Sequence, residues 1–185
     1  GTPESVKQAV RDSLEYVKDY PQVGYAPLKK AIAEYEGVAS ESVICGNGAA
    51  ELVFSLCQAV KPKKALIPIP TFAEYEQALE SVGAEVGHVL LKEEDEFRVQ
   101  DSFIDWLHKD LDMVFLCNPN NPTGILTDRE FLFRLLRVCR EMGIFLVVDE
   151  CFQDFIREPG QYSLKAQLPR YHNLFLLKAF TKRYA

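Results

Sequence analysis

The stretch MVFLCNPNNPTG, residues 113–124, joins an apolar run to a rigid polar turn. The run MVFLC is too short for a typical helix and has the continuous apolar character of a strand buried inside a parallel sheet. In the turn that follows, Pro119 and Pro122 restrict the backbone, and Gly124 permits a positive φ. This stretch therefore predicts an amide-bearing turn at the carboxyl end of a central strand, which is where open α/β sheets bind ligands.

Two further strings place polar groups after apolar runs in the same way. VVDE, residues 147–150, puts Asp149 at the end of the run IFLVV, and FTK, residues 180–182, puts Lys182 after the run LFLL. Each of the intervals between Asn121, Asp149 and Lys182 is long enough for one helical crossover. We therefore expect an amide, a carboxylate and an amine at the ends of neighbouring strands.

Apolar runs alternate with helical patterns along most of the chain. The predicted strands are residues 43–45, 65–69, 85–91, 113–117, 144–148 and 174–177. The predicted helices are residues 3–19, 27–36, 49–60, 72–81, 102–108 and 128–142, with Thr2 and Thr127 as the N-caps of the first and the last. Strands separated by helices predict right-handed crossovers and a mostly parallel sheet covered on both faces, that is, a three-layer α/β/α fold.

Composition and charge exclude several classes of function but do not identify one. The 185 residues suit one compact domain, and a net charge of −6 with a pI near 5.2 argues against a nucleic-acid partner. The five cysteines form no CxxC pair, which favours reduced thiols and a cytoplasmic location. No apolar segment approaches the roughly 20 residues of a membrane helix, and the N-terminus lacks a signal pattern. We therefore expect small-molecule chemistry, with no nucleic acid, no membrane and no metal.

Each candidate residue also has a plain structural explanation. Lys182 could be an ordinary basic residue, and Asp149 could cap the turn that follows its strand. Asn121 could be a loop asparagine, and Phe72 could belong to the core. The glycine turn at residues 46–48 is by itself a weak indication of a phosphate site, although it precedes a helix. The residues taken together favour chemistry, because a buried carboxylate at Asp149 requires a cationic partner.

The strings CNPNNPTG and VVDE make the chain resemble the large domain of fold-type I pyridoxal 5'-phosphate (PLP) enzymes, in the aminotransferase class I and II superfamily. The resemblance covers nearly the whole chain, from residue 20 to residue 182. It implies that Lys182 holds PLP covalently and acts as the catalytic residue. It also implies that Asp149 pairs with the pyridine nitrogen and keeps it protonated, and that Asn121 holds the phenolic oxygen.

The same resemblance implies further contacts with PLP. Phe72 would stack on the ring, while Gly48, Ala49 and Thr181 would contact the phosphate. Tyr20 would reach the cofactor of the partner subunit, which implies a homodimer.

Within the superfamily the chain looks most like the threonine-phosphate decarboxylase branch of cobalamin biosynthesis, followed by histidinol-phosphate aminotransferases. The strings DYP, CGNGAAE, PTFAEYEQAL and DECFQDFI carry this resemblance. It implies a PLP-dependent lyase that converts L-threonine O-3-phosphate, a small phosphorylated amino acid, to aminopropanol phosphate and carbon dioxide. Phe152 stands where aminotransferases of this type usually have a tyrosine, and this favours decarboxylation.

Two alternatives remain open at this point. One is transamination of the histidinol-phosphate type, and the other is a noncatalytic domain that at most binds PLP. The resemblance also implies that the chain is a fragment. We expect an N-terminal helical segment at residues 1–36, an incomplete PLP-binding large domain at residues 37–185 and no C-terminal small domain, so that the fragment alone is inactive.

Overall fold

The computed structural model describes residues 1–184, which form two compact units. One unit consists of Gly1–Asn47 together with the residues from Phe180 onward, and the other is Gly48–Ala179. The second unit contains the whole sheet. The division of the chain at residues 36 and 37 stays a prediction about the domains of the whole protein.

Most of the helices and strands follow one another in the order that the sequence predicts. The helices are α1 (Glu4–Ser13), α2 (Ala26–Glu36), α3 (Gly48–Val60), α4 (Glu74–Ser81), α5 (Arg129–Met142) and α6 (Thr181–Tyr184). The strands are β1 (Lys64–Ile69), β2 (Glu85–Leu90), β3 (Met113–Cys117), β4 (Phe145–Asp149) and β5 (Leu174–Leu177). Short 3₁₀ helices cover Leu14–Tyr16, Ser40–Ser42, Glu93–Asp95, Asp101–Trp106, Gln153–Phe155, Pro159–Gln161 and Lys165–Gln167. No helix within residues 1–184 is both long enough and apolar enough to cross a lipid bilayer.

The five strands pair in parallel in the order β2-β1-β3-β4-β5. Cys117 at the end of β3 is in register with Asp149 at the end of β4, and Asp149 is in register with Leu177 at the end of β5. Backbone hydrogen bonds between the strands continue past these ends. The Asn118 N–H donates to the carbonyl of Asp149, and the Glu150 N–H donates to that of Leu177, each at 2.8 Å. The carboxyl ends of three neighbouring strands are therefore tied together.

Two buried clusters lie on opposite faces of the sheet, because successive side chains of a strand point to opposite faces. On one face, Val114 and Leu116 of β3 pack with apolar residues of α5. On the other face, Phe115 and Cys117 pack with residues of α3 and α4. Burial on both faces explains why β3 reads as a continuous apolar run rather than as an alternating one.

The predicted α/β fold with a mostly parallel sheet is confirmed, and the strands predicted at residues 113–117 and 174–177 have the predicted bounds. The strand predicted at residues 43–45 is wrong for the described chain. Val43 is extended, with φ −105° and ψ 128°, but residues 43–45 join no ladder within residues 1–184. An extended backbone becomes a strand only when a neighbour satisfies its hydrogen bonds.

Three details of the predicted helices are also wrong. Residues Asp101–Trp106 form a 3₁₀ helix instead of the predicted α-helix, which fits a short segment rich in residues of modest helix propensity. The N-cap of α5 is Asp128, whose side chain accepts from the Phe131 N–H at 2.8 Å, and not Thr127. At the first helix Pro3 occupies the N-cap position in place of Thr2.

Candidate active site

Asp149 ends β4 and is buried, with 5% of its surface exposed. Its Oδ1 accepts from the backbone N–H of Cys151 at 2.8 Å, and its Oδ2 accepts from the hydroxyl of Tyr75 at 2.5 Å. Both donors are neutral. Within residues 48–179 no cationic side chain forms an ion pair with this carboxylate. A buried carboxylate in this setting favours a cationic ligand, because an unpaired charge is costly away from water.

Tyr75 lies in α4 and is fully buried. Its ring stacks on Phe115 of β3, with 5.0 Å between the ring centroids and 15° between the planes. It also meets the ring of Phe72 edge-on, with 5.5 Å between the centroids and an angle of 74°. Burial and the neighbouring charge of Asp149 both raise the pKa of Tyr75, so its hydroxyl stays a neutral donor.

Cys117 ends β3, beside Asp149. Burial first, and then the charge of Asp149, raise the pKa of the Cys117 thiol to about 12. The thiol donates to the Pro119 carbonyl at 3.2 Å. Since the thiolate is the nucleophilic form of cysteine, Cys117 contributes packing and a hydrogen bond to the site.

The turn after β3 is held by its own asparagines. Asn118 is fully buried: its amide donates to the carbonyls of Thr127 at 3.2 Å and Tyr162 at 3.1 Å, and its Oδ1 accepts from the Thr127 N–H at 2.8 Å. Asn120 donates to the Pro70 carbonyl at 3.0 Å. Asn121 is half-buried, and its side-chain amide makes no hydrogen bond with residues 48–179. Two asparagines therefore hold the turn through their side-chain bonds, and the third does not.

Replacing Asn118 by alanine should destabilise the protein by about 2 to 4 kcal/mol, because the buried N–H and carbonyl of Thr127 lose their side-chain partner and the Tyr162 carbonyl keeps only the donor at Gln153. The free energy of unfolding, measured by chemical denaturation, checks this. Asn173→Ala is the matched control, since that side chain makes a single half-buried bond, to the Ile144 carbonyl at 3.0 Å. An equal loss in the two variants would contradict the structural role of Asn118.

Glu150, the residue after Asp149, has a separate role. It is 2% exposed, its Oε2 accepts from the Ser163 hydroxyl at 2.9 Å, and its Oε1 accepts from the Leu164 N–H at 3.3 Å. Gln153 is buried nearby and donates to the Asn118 carbonyl at 3.2 Å. These bonds fasten the segment before β5 to the ends of β3 and β4.

The glycine turn leads into α3, as expected. Gly48 has φ +82°, which favours glycine, and it is the first residue of the helix, with Ala49 next. Because α3 ends at Val60 and β1 begins at Lys64, the helix runs back along the sheet from the carboxyl edge to the amino edge. Its N-terminal amides therefore lie toward the same edge as Asp149, where they suit an anion.

The other predicted site residues belong to the first unit. Thr181 and Lys182 are exposed residues in the single turn of α6, directly after Phe180. The Phe180 ring packs edge-on against Tyr35 of α2, with 6.0 Å between the centroids. Tyr20 is 90% exposed. The second unit thus brings together Phe72, Asn121 and Asp149, with Gly48 and Ala49 toward the same edge, and the assigned roles of all these residues stay predictions.

Sequence reasoning did not single out Tyr75, Asn118, Glu150 or Gln153. A signal for Tyr75 was present, because Asp149 requires partners and PTFAEYEQAL contains a second aromatic residue one helical turn after Phe72. The cap interpretation of Asp149 is also correct in part. Its Oδ1 does cap the following turn, and this leaves the second lone pair of each oxygen for a ligand.

The parallel sheet, its strand order and the polar groups at its carboxyl edge define the large domain of fold-type I PLP enzymes. All 185 residues match the family model described as aminotransferase class I and II. The chain belongs to the aminotransferase class I and II family.

Individual relatives agree with this family. The chain is 37% identical over 185 residues to a threonine-phosphate decarboxylase from Salmonella typhimurium, covering 100% of this chain and 50% of that one. It is 34% identical over 190 residues to a histidinol-phosphate aminotransferase from Desulfitobacterium hafniense, covering 99% of this chain and 51% of the relative. The crystal structure of the histidinol-phosphate aminotransferase from Clostridium acetobutylicum superposes with a TM-score of 0.89 at 30% identity, covering 100% of this chain and 54% of that chain. The chain thus spans about half the length of each of these three relatives.

Proposed function

We propose that the whole protein binds PLP at the carboxyl edge of this sheet and decarboxylates L-threonine O-3-phosphate in cobalamin biosynthesis. The main support for the PLP site is the Asp149 carboxylate at the end of β4. It is buried, it accepts hydrogen bonds from two neutral donors, and it forms no ion pair with a cationic side chain of residues 48–179. A protonated pyridine nitrogen is a cation of suitable size that also uses one directed hydrogen bond.

The residues of the second unit fit the remaining parts of PLP. Asn121 offers an amide for the phenolic oxygen, and the half-buried Phe72 offers a ring face. Gly48 and Ala49 begin α3 with the amides that a phosphate prefers. In this proposal Thr181 adds a phosphate contact and Lys182 forms the covalent link.

When bound, PLP supplies an electron sink for the charge that develops on the substrate α-carbon. The chain's own groups then have separate tasks. Asp149 holds the ring nitrogen in its protonated form, Asn121 orients the ring, and Lys182 returns a proton to the carbon that has lost carbon dioxide.

The choice of decarboxylation rests on two supports. The first relatives reported above include a threonine-phosphate decarboxylase at higher identity than the histidinol-phosphate aminotransferase. Phe152 follows Asp149 by three residues and carries no hydroxyl, and it packs half-buried against the cluster that contains Cys117. The phenolic oxygen of PLP would therefore have Asn121 as its side-chain donor.

We further propose a cytoplasmic homodimer. Tyr20 is exposed in its own unit. In this proposal its side chain would contact the cofactor of the partner subunit.

Carbon dioxide release from L-threonine O-3-phosphate by the whole protein with PLP tests the proposed function. We expect release that depends on PLP and yields aminopropanol phosphate in equal amount. The competing activity is tested beside it, with histidinol phosphate and 2-oxoglutarate. Transfer of the amino group to 2-oxoglutarate without release of carbon dioxide would replace the decarboxylase by an aminotransferase, and PLP binding without either reaction would leave a cofactor-binding domain.

A further inference from the structure

We propose that Tyr75 is a positioning residue for PLP: its hydroxyl fixes the Asp149 carboxylate, and its ring supports Phe72. This inference rests on the PLP site proposed above. It goes beyond that site because Tyr75 acts through two neighbours that would touch the cofactor, one at the ring nitrogen and one on the ring face.

The hydrogen bonds of Asp149 show how the carboxylate is fixed. The Cys151 N–H holds Oδ1 at 2.8 Å, and the Tyr75 hydroxyl holds Oδ2 at 2.5 Å. A carboxylate with one anchor can still turn about its Cβ–Cγ bond, whereas two anchors on different oxygens set its plane. Each oxygen retains a second lone pair, so the direction offered to the pyridine N–H is set before the cofactor binds.

The ring of Tyr75 fixes a second element of the site. It is wedged between Phe115 of β3, on which it stacks at 5.0 Å, and Phe72, which it meets edge-on at 5.5 Å. Since β3 is the central strand, Phe72 is supported from the most buried part of the sheet. One residue therefore links the ring-nitrogen partner to the ring-face partner.

The simpler view is that Tyr75 is a core tyrosine that needs any acceptor for its buried hydroxyl. The two views differ in what happens when the charge of Asp149 is removed. If Tyr75 acts on PLP through that carboxylate, its contribution to PLP affinity should shrink once the carboxylate becomes an amide. If it only packs, its contribution should be the same in both backgrounds.

A double-mutant cycle on the whole protein measures this difference. PLP is titrated into the apoproteins of the wild type, Tyr75→Phe, Asp149→Asn and the double variant, and the dissociation constant is read from the cofactor absorbance. We expect Tyr75→Phe to weaken PLP binding by about tenfold or more in the wild-type background, and by less than about threefold in the Asp149→Asn background. Tyr171→Phe is the matched control, because Tyr171 packs on Phe133 on the opposite face of the sheet and should change binding by less than about twofold.

Melting temperatures of the same apoproteins give a second cycle. Tyr75→Phe should lower the melting temperature less when residue 149 is Asn, because a hydrogen bond to a charge is stronger than one to a neutral amide. This comparison remains informative even if Tyr75→Phe is too unstable for PLP titration. Equal losses in the two backgrounds, in affinity or in melting temperature, would overturn the positioning role while the PLP site stands. A wild type that binds no PLP would overturn both.

Discussion

Lys182→Ala is expected to remove the absorbance of the covalent cofactor link from the whole protein with PLP and to lower kcat/KM for L-threonine O-3-phosphate on the order of 10⁴-fold or more. The lysine is proposed both to hold the cofactor covalently and to move the proton at the reacting carbon. Alanine has no amine, so both tasks would be lost together. Absorbance spectra and carbon dioxide release measure the two losses separately.

Lys92→Ala is the matched control for this variant. Lys92 is an exposed residue shortly after β2, beside the acidic residues 93–96, and its Nζ lies 2.9 Å from Glu94 Oε1. Its removal should leave the spectrum and the rate within about twofold of the wild type, because exposed ion pairs contribute little. A Lys182→Ala protein that keeps the covalent cofactor spectrum would show that another amine forms the link, and the assignment of Lys182 would be wrong.

Asp149→Asn is expected to lower kcat/KM by at least about 100-fold and to weaken PLP binding, with the protein still folded. The amide keeps the shape of the side chain: its single oxygen can still accept from the Cys151 N–H, and its NH2 group can donate to the Tyr75 hydroxyl oxygen, so the fold loses little. It carries no charge, so a protonated pyridine nitrogen would lose its counter-ion in a buried setting. Steady-state rates at saturating PLP separate the rate effect from the binding effect.

Asp112→Asn controls for the loss of an aspartate that accepts backbone bonds. Its Oδ2 accepts from the N–H groups of Lys63 at 2.7 Å and Lys64 at 2.9 Å, just before β3 begins, at the amino edge of the sheet. That variant should lose some stability and keep its rate. If Asp149→Asn retained the wild-type rate at saturating PLP, Asp149 would be a turn cap alone.

Local sequence predicts the parts of this fold that local forces decide. The strand at residues 113–117 is continuous in apolar character and bounded by a proline turn, so its bounds follow from the sequence. The position of Asp149 at a strand end follows in the same way, and the parallel arrangement then brings Asn121 to the neighbouring strand end. The glycine turn before α3 is predicted from the glycines at residues 46 and 48, and Gly48 has φ +82°, which favours glycine.

The parts that sequence reasoning missed depend on contacts between distant segments. Tyr75 is 74 positions before Asp149, and the position of its ring one helical turn after Phe72 does not by itself show that its hydroxyl reaches that carboxylate. Thr127 resembles an N-cap, but its backbone N–H bonds the buried Asn118, and the cap falls to Asp128. Residues 43–45 have strand-like sequence, and pairing rather than sequence decides whether they form a strand.

The backbone ties at the strand ends connect cofactor supply to folding. The bonds from Asn118 to Asp149 and from Glu150 to Leu177 close the sheet at the place where PLP is proposed to bind, so a chain that opens there loses the binding site as well. A ligand that binds only the native state shifts the folding equilibrium toward that state. PLP at about 100 times its dissociation constant would therefore stabilise the native state by about 2.7 kcal/mol. That is near the upper end of the loss that most single substitutions cause. We therefore expect that cofactor added during growth raises the abundance of destabilised variants of this protein and leaves their catalytic rate unchanged.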